Sequence, residues 1–237
     1  MNGILIVDKP TTWTSHDVCA FVKKRFRIKK VGHAGTLDPL ATGVLVLLLG
    51  KATKQSMALS ACDKEYDGVM ELGLKTDSHD RNGKTLEQAP WEHITLEKII
   101  EESKKFCGEI TQTPPMVSAL KHQGVRLYQL ARKGVTVPRK ERNVTVQHFD
   151  MKRMNGPFVE FSSCVSKGTY LRTLVNDLGD VLGCFATLAE LRRVRSGESH
   201  IKDALTIDEL KAMDAAQVAA KVKPVLPTSA YANLYRN

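Results

Sequence analysis

Val144-Thr-Val-Gln-His-Phe-Asp-Met151 is followed along the chain by Phe158-Val-Glu-Phe-Ser-Ser-Cys-Val165. Both stretches alternate apolar and polar residues, as strands with one buried face do. Tyr170–Leu182 and Thr187–Arg193 then space their apolar residues like helices. Two strands in succession and then two helices break the rhythm of a parallel βαβ sheet. The pattern therefore favours an α+β fold, a mixed and mostly antiparallel sheet flanked by helices, over a doubly wound one.

Working outward, Gly3–Val7, the apolar run Val44–Leu49 and Tyr66–Leu74 read as further strands. Thr14 with Asp17 has the spacing of a capping box and opens a helix through Arg25. Thr206 with Glu209 repeats that signature before Leu210. Residues 52–61, Thr95–Phe106 and Val125–Lys133 fit helices, and Pro114-Pro115 requires extended chain. Gly32, Gly35, Pro39 and Gly43 mark residues 32–43 as an irregular loop. Ser78-His-Asp-Arg-Asn-Gly83-Lys84-Thr85 resembles the end of a phosphate-binding loop, but its first position is Ser and no apolar helix follows. It reads as a polar turn.

The chain has 237 residues, with 35 Lys and Arg against 26 Asp and Glu, a net charge of +9. Hydrophobic residues make up 42% and charged residues 26%, which fits a globular chain and argues against extensive disorder. No apolar run approaches the roughly 20 residues of a membrane helix. Ile4–Val7 is closed at once by Asp8, Lys9 and Pro10, unlike a secretory signal. The five cysteines are scattered without a C-x-x-C pair, and the seven histidines show no metal-ligand spacing. That pattern argues against a disulfide framework and a zinc site. A cytoplasmic protein without membrane attachment is expected. The positive balance favours a polyanionic partner.

Two segments carry chemistry. Gly32-His33-Ala34-Gly35-Thr36-Leu37-Asp38-Pro39-Leu40-Ala41-Thr42-Gly43 has three glycines that let a backbone approach a bulky ligand. Its Asp38-Pro39 pair can present a carboxylate outward, although a lone Asp-Pro reads first as a turn. Ser163–Leu174 runs through Lys167-Gly168-Thr169 into a helix with Tyr170 and Arg172 at its start. An Arg there opposes the helix dipole, so it needs a specific anionic partner. Basic clusters at Lys23–Lys30, at Arg132, Lys133, Arg139, Lys140 and Arg142, and at Arg192, Arg193 and Arg195 would make a track for a phosphate backbone.

Taken together, these residues resemble the TruB family of tRNA pseudouridine synthases, which act on uridine 55 of the TΨC arm. Gly3–Pro10 with Thr14-Ser15 is similar to the family's opening motif, and Gly32–Gly43 to its catalytic loop. Lys64-Glu-Tyr66 through Gly83 is similar to its tyrosine strand. Thr113-Pro-Pro-Met-Val-Ser-Ala-Leu-Lys121 through Gly134 is similar to its insertion. Ser166–Arg172 with Leu191-Arg192-Arg193 is similar to its last motifs. The likeness runs from about residue 3 to 200 in unbroken order.

The resemblance implies a pseudouridine synthase fold and makes Asp38 the catalytic aspartate, with Arg172 as its ion-pair partner. Tyr66 would stack on the target base. Tyr170 and Leu191 would line the pocket, with Asp80 a supporting partner. His33 would fill the space left by the flipped nucleotide. Lys121, Arg126, Arg132, Lys133, Arg139, Arg192 and Arg193 would meet the RNA backbone. A mobile thumb is expected over residues 122–146, within a catalytic domain 1–205. Residues 206–237 would be a short segment rather than a full RNA-binding domain. The reaction implied is an isomerisation needing neither cofactor nor metal. The partner implied is tRNA through its T arm, bound by a monomer with no obligatory protein partner. An RNA-binding chaperone without turnover would share the basic clusters but would not need Asp38, Tyr66 and Arg172 together. Thr12 and Ala34 depart from the family pattern, which has Gly and Thr there.

Overall fold

The computed structural model describes residues 1–225. Of the expected terminal segment 206–237, residues 226–237 lie outside the described residues. The chain begins β1 (Gly3–Lys9), α1 (Ser15–Arg25), β2 (Val31–Ala34) and β3 (Thr42–Leu49). A 3-10 turn (Gly50–Gln55) runs into α2 (Ser56–Ser60), followed by β4 (Lys64–Leu72), β5 (Leu74–Thr76), β6 (Thr85–Gln88) and α3 (Leu96–Ser103). Next come β7 (Gly108–Gln112), β8 (Lys121–His122), β9 (Val125–Arg126), α4 (Leu127–Ala131), β10 (Arg142–Asn155) and β11 (Phe158–Val165). The chain continues through α5 (Leu171–Leu182), β12 (Ala186–Ser196), β13 (Ser199–His200), β14 (Leu205–Thr206), α6 (Ile207–Ala212) and α7 (Ala215–Lys221). No helix among the described residues is long and apolar enough to cross a membrane.

The chain divides into two compact units. The first comprises Met1–Tyr66 and the chain from Leu191 onward; the second is Asp67–Glu190. In the first unit the strands run β14-β1-β3-β12, with β2 added on β3. β1 and β3 are antiparallel from Gly3↔Leu49 to Lys9↔Gly43. β3 is buried along nearly its whole length, which is why it reads as one apolar run without alternation. Ile4, Ile6, Ala34, Val44, Val46 and Leu48 form the core around it. Thr14 caps α1 with both halves of the box in place: the Thr14 hydroxyl accepts the Asp17 amide, and the Asp17 carboxylate accepts the Thr14 amide.

In the second unit the strands run β4-β11-β10-β7. β10 and β11 are antiparallel, and Phe149 and Phe161 meet edge-on at 5.1 Å. α5 buries Leu171, Leu174, Val175, Leu178 and Leu182 and stops at Gly183, whose φ of +76° is the left-handed turn that ends many helices. The polar turn 78–84 joins β5 to β6, which pair antiparallel. The fold is α+β and its strand pairs are mostly antiparallel.

Two expectations change. Thr187–Arg193, read as a helix, is the middle of β12; Arg192 and Arg193 pair in parallel with Thr42 and Gly43. Its Leu, Ala, Glu and Arg favour a helix, and sheet pairing to a distant strand overrides that propensity. The irregular loop is also shorter than 32–43, because Gly32, His33 and Ala34 pair with Leu48, Leu47 and Val46. The true loop is 35–41.

Candidate active site

Asp38 stands in that loop, and the surrounding backbone is held from several sides. Ser15, 2% exposed at the start of α1, donates its hydroxyl to the Leu37 carbonyl at 3.0 Å and accepts the Leu37 amide at 2.8 Å. The Thr12 amide donates to the Pro39 carbonyl at 2.8 Å. Lys9 is fully buried and its ammonium donates to the carbonyls of Trp13 at 2.6 Å, Pro10 at 2.9 Å and Pro39 at 3.5 Å. Arg193, 1% exposed, donates Nε to the Val44 carbonyl at 2.7 Å and Nη2 to the Gly35 carbonyl at 3.0 Å. It thereby grips both ends of the loop.

Gly43 is required where the loop re-enters β3. Its φ is +97°, and a Cβ there would come within 2.2 Å of the Arg193 carbonyl oxygen. Thr12 has φ +69°, a left-handed conformation that a β-branched residue adopts under strain. The glycine that the resemblance leads one to expect here would adopt it without that strain.

His33 lies on β2, half-buried; burial first, then the positive charge of Arg193, pushes its pKa down. Tyr66 is 9% exposed on β4. Leu191, on β12, is half-buried, and its carbonyl accepts the Thr42 hydroxyl at 3.4 Å. Arg192 forks onto Asp8, with contacts of 2.6 and 3.1 Å. Arg193, expected on the RNA backbone, is a correction: its guanidinium is committed to main-chain carbonyls inside the first unit and does not face solvent.

In the second unit Arg172 is 3% exposed in the first turn of α5. It donates to the Ser78 carbonyl at 2.7 Å and the Val117 carbonyl at 2.9 Å, and its Nη1 lies 3.6 Å from the Asp80 carboxylate. Asp80 also accepts the Ser78 hydroxyl at 2.7 Å and the Asn82 amide at 3.1 Å. An arginine set against the helix dipole is thus held by two carbonyls and an anion. His79 beside it has its pKa lowered to about 4, by burial first and then by the Arg172 charge.

Tyr170 is the N-cap of α5, and Gln112 clamps its backbone from both sides: the Gln112 carbonyl accepts the Tyr170 amide at 2.8 Å and its amide donates to the Tyr170 carbonyl at 3.1 Å. The Arg142 guanidinium lies 5.5 Å over the Tyr170 ring. Lys121 and Arg126 face each other across the β8–β9 hairpin. Arg132 packs over the Tyr128 ring at 5.5 Å, Lys133 is exposed, and Arg139 donates to the Pro114 carbonyl at 3.0 Å. Residues 142–146 of the expected thumb belong to β10.

Roles for Lys9, Ser15 and Gln112 were missed in the sequence. Each is a polar residue whose partners lie far along the chain or are main-chain atoms, which leave no sequence pattern. Lys9 has a testable electrostatic signature. Burial first, and Arg193 next, press its pKa down from 10.5 to about 8, while the Asp38 carboxylate pulls it up. Below pH 8 both folded and unfolded chains hold the proton, and the fold bears the full cost of the buried charge. Between pH 8 and 10.5 the folded protein releases the proton first, so stability rises with pH by up to about 3 kcal/mol. The stability of the parent relative to Lys9→Met, from urea unfolding, should rise over that window. A flat difference would mean that Lys9 titrates like an exposed lysine.

Residues 23–171 match the family model for the TruB family pseudouridylate synthase N-terminal domain, and 172–227 the model for the tRNA pseudouridylate synthase B C-terminal domain. The chain is 45% identical over 225 residues to the tRNA pseudouridine synthase B of Opitutus terrae, covering 95% of this chain and 93% of that protein. It is 47% identical over 209 residues to the protein of the same name from Geotalea uraniireducens, covering 88% and 67%. Among solved structures, a chain of a Cbf5-Nop10-Gar1 complex superposes with a TM-score of 0.71 at 32% identity, over 94% of this chain. A chain of an H/ACA RNP bound to a substrate RNA containing 2'-deoxyuridine superposes with a TM-score of 0.67 at 27% identity, over 98%. This chain spans 60% and 61% of those two. On these matches the chain belongs to the TruB family of pseudouridylate synthases, which are isomerases.

Proposed function

We propose that the protein isomerises uridine 55 in the TΨC loop of tRNA to pseudouridine. The relatives' shared name, tRNA pseudouridine synthase B, supports tRNA as substrate. The observation that carries the reading is the immobilisation of loop 35–41 by buried Lys9, Ser15 and Arg193. A protein that only binds RNA has no use for two buried cations spent on an Asp-Pro turn.

The reaction breaks the C1′–N1 bond, turns the base and joins C1′ to C5; the C5 proton is lost and N1 gains one. No electrons are exchanged, so the chemistry calls for positioning and acid–base groups rather than a redox cofactor. The uridine must leave its stack to be reached. Asp38 acts as the nucleophile that drives C1′–N1 cleavage. Tyr66 stacks on the base where the C5 proton departs. Tyr170, fixed by Gln112, and Leu191 form pocket walls, and His33 takes the place of the flipped nucleotide in the RNA loop. Arg172 and Asp80 support the catalytic centre. Of the expected thumb, residues 122–141 close on the T arm and 142–146 anchor it in β10, with Lys121, Arg126, Arg132, Lys133, Arg139 and Arg192 meeting phosphates.

The test is incubation of the purified protein alone with an unmodified tRNA transcript, then carbodiimide treatment and primer extension. A single new stop at position 55 is expected. A stop elsewhere would overturn the position, and tight binding without any stop would favour the chaperone reading.

A further inference from the structure

The end of β3 remote from the catalytic loop carries a feature that the reaction does not use. Around the Gly50 amide, which donates to the Lys30 carbonyl at 2.8 Å, the chain leaving α1 meets the 3-10 turn after β3. The Lys51 amide is fixed there by the Asn2 side chain at 2.8 Å. The two segments enclose an open concavity of about 570 Å³ lined by Arg27, Lys29, Lys30, Lys51 and Lys54. All five are exposed. No carboxylate lines the concavity, and among the described residues none of the five cations has an ion-pair partner. Lys51 and Lys54 are more than twenty residues from Lys29 and Lys30 in sequence, so the fold assembles this patch.

Five like charges around one hollow repel one another, an arrangement that a polyanion relieves. A lone phosphate would engage two or three of them. A membrane surface fits poorly, because the apolar neighbours Phe26 and Ile28 are 8% and 6% exposed and offer nothing to insert. Thr42 to Gly50 is eight residues of strand, about 26 Å at roughly 3.3 Å per residue. An RNA with one nucleotide at Asp38 must therefore continue well beyond its target loop to reach the hollow.

We propose that this concavity is a second RNA-backbone site, which takes phosphates of the helical substrate RNA beyond the loop that carries the target uridine. It rests on the reading that the substrate is tRNA, and it adds a contact surface distant from the chemistry. Whole tRNA would gain affinity from it, and an isolated T-arm stem-loop would gain little.

The experiment compares the parent with a variant carrying Lys29→Gln, Lys30→Gln, Lys51→Gln and Lys54→Gln, using whole transcript and T-arm stem-loop over a salt series. The four lysines are surface residues, so an unchanged circular dichroism melt is required first. For whole tRNA, Kd should rise at least tenfold. Its slope of log K against log salt should flatten by roughly two to four, at about 0.9 per duplex phosphate. For the stem-loop, Kd should rise less than threefold. Replacing Lys84, Lys98, Lys104 and Lys152 with Gln removes the same charge from the second unit, and should change either RNA less than threefold. The proposal is overturned if whole tRNA binds the variant like the parent, if both RNAs weaken equally, or if the control loses as much. Failure of the parent to form pseudouridine would overturn the tRNA reading separately, because binding is read without turnover.

Discussion

Asp38→Asn should reduce pseudouridine formation by at least about 1000-fold, roughly 4 kcal/mol of barrier, while tRNA binding stays within about threefold. The amide has the size and shape of the carboxylate, and the main-chain anchors of the loop do not involve the Asp38 side chain. Ser15 still holds Leu37, Thr12 and Lys9 still hold Pro39, and Arg193 still grips Gly35 and Val44. What disappears is the nucleophile's charge. A second readout separates this from general damage. The Asp38 carboxylate is the main influence holding the Lys9 proton, so its loss should lower the Lys9 pKa below about 8. The window in which stability rises with pH should then begin earlier. Turnover within tenfold of the parent would remove Asp38 from the mechanism, whatever the stability data show.

The parts of the molecule legible in the sequence are those whose cause is local. The strands at Val144–Met151 and Phe158–Val165 alternate because one face of each is buried; the first is present with longer ends and the second with the same bounds. The capping boxes at Thr14–Asp17 and Thr206–Glu209 are complete, since each is built within four residues. Thr187–Arg193 was illegible because it is a strand inside a sheet, and its pairing of Arg192 and Arg193 with Thr42 and Gly43 reaches far back along the chain. Arg193 was misread for a related reason. A guanidinium that saturates buried carbonyls and one that waits for phosphate look alike in a string of letters. Arg172 was more legible, because an arginine set against the helix dipole must be offset by something, and Asp80 and two carbonyls lie against it.

Arg172 is where the second large effect is expected. Its guanidinium reaches Ser78, Val117 and Asp80 from one planar group, and a lysine ammonium at the end of a flexible stem cannot reproduce that fork. In Arg172→Lys at least one of the two carbonyls loses its donor inside the fold, at about 1–3 kcal/mol. The resemblance gives Arg172 a part in catalysis, so turnover should fall at least about 100-fold, near 3 kcal/mol of barrier, with tRNA affinity changed much less. Arg172→Met goes further, because it removes the positive charge beside Asp80; breaking a buried pair in this way typically costs about 3–5 kcal/mol. His79 distinguishes the two variants. Its pKa is held at about 4 by burial and then by the Arg172 charge, so the parent loses stability as pH falls from 6.5 towards 4, where the unfolded chain takes up a proton that the folded one refuses. Arg172→Lys keeps the charge and should keep that acid sensitivity. Arg172→Met should raise the His79 pKa and shrink the acid loss, which an NMR titration of the histidine ring would follow. If turnover survives Arg172→Lys, the arginine braces Ser78 and Val117 and takes no part in the reaction. If the His79 pKa stays put in Arg172→Met, burial and the charges of Arg139 and Lys75 set it without Arg172.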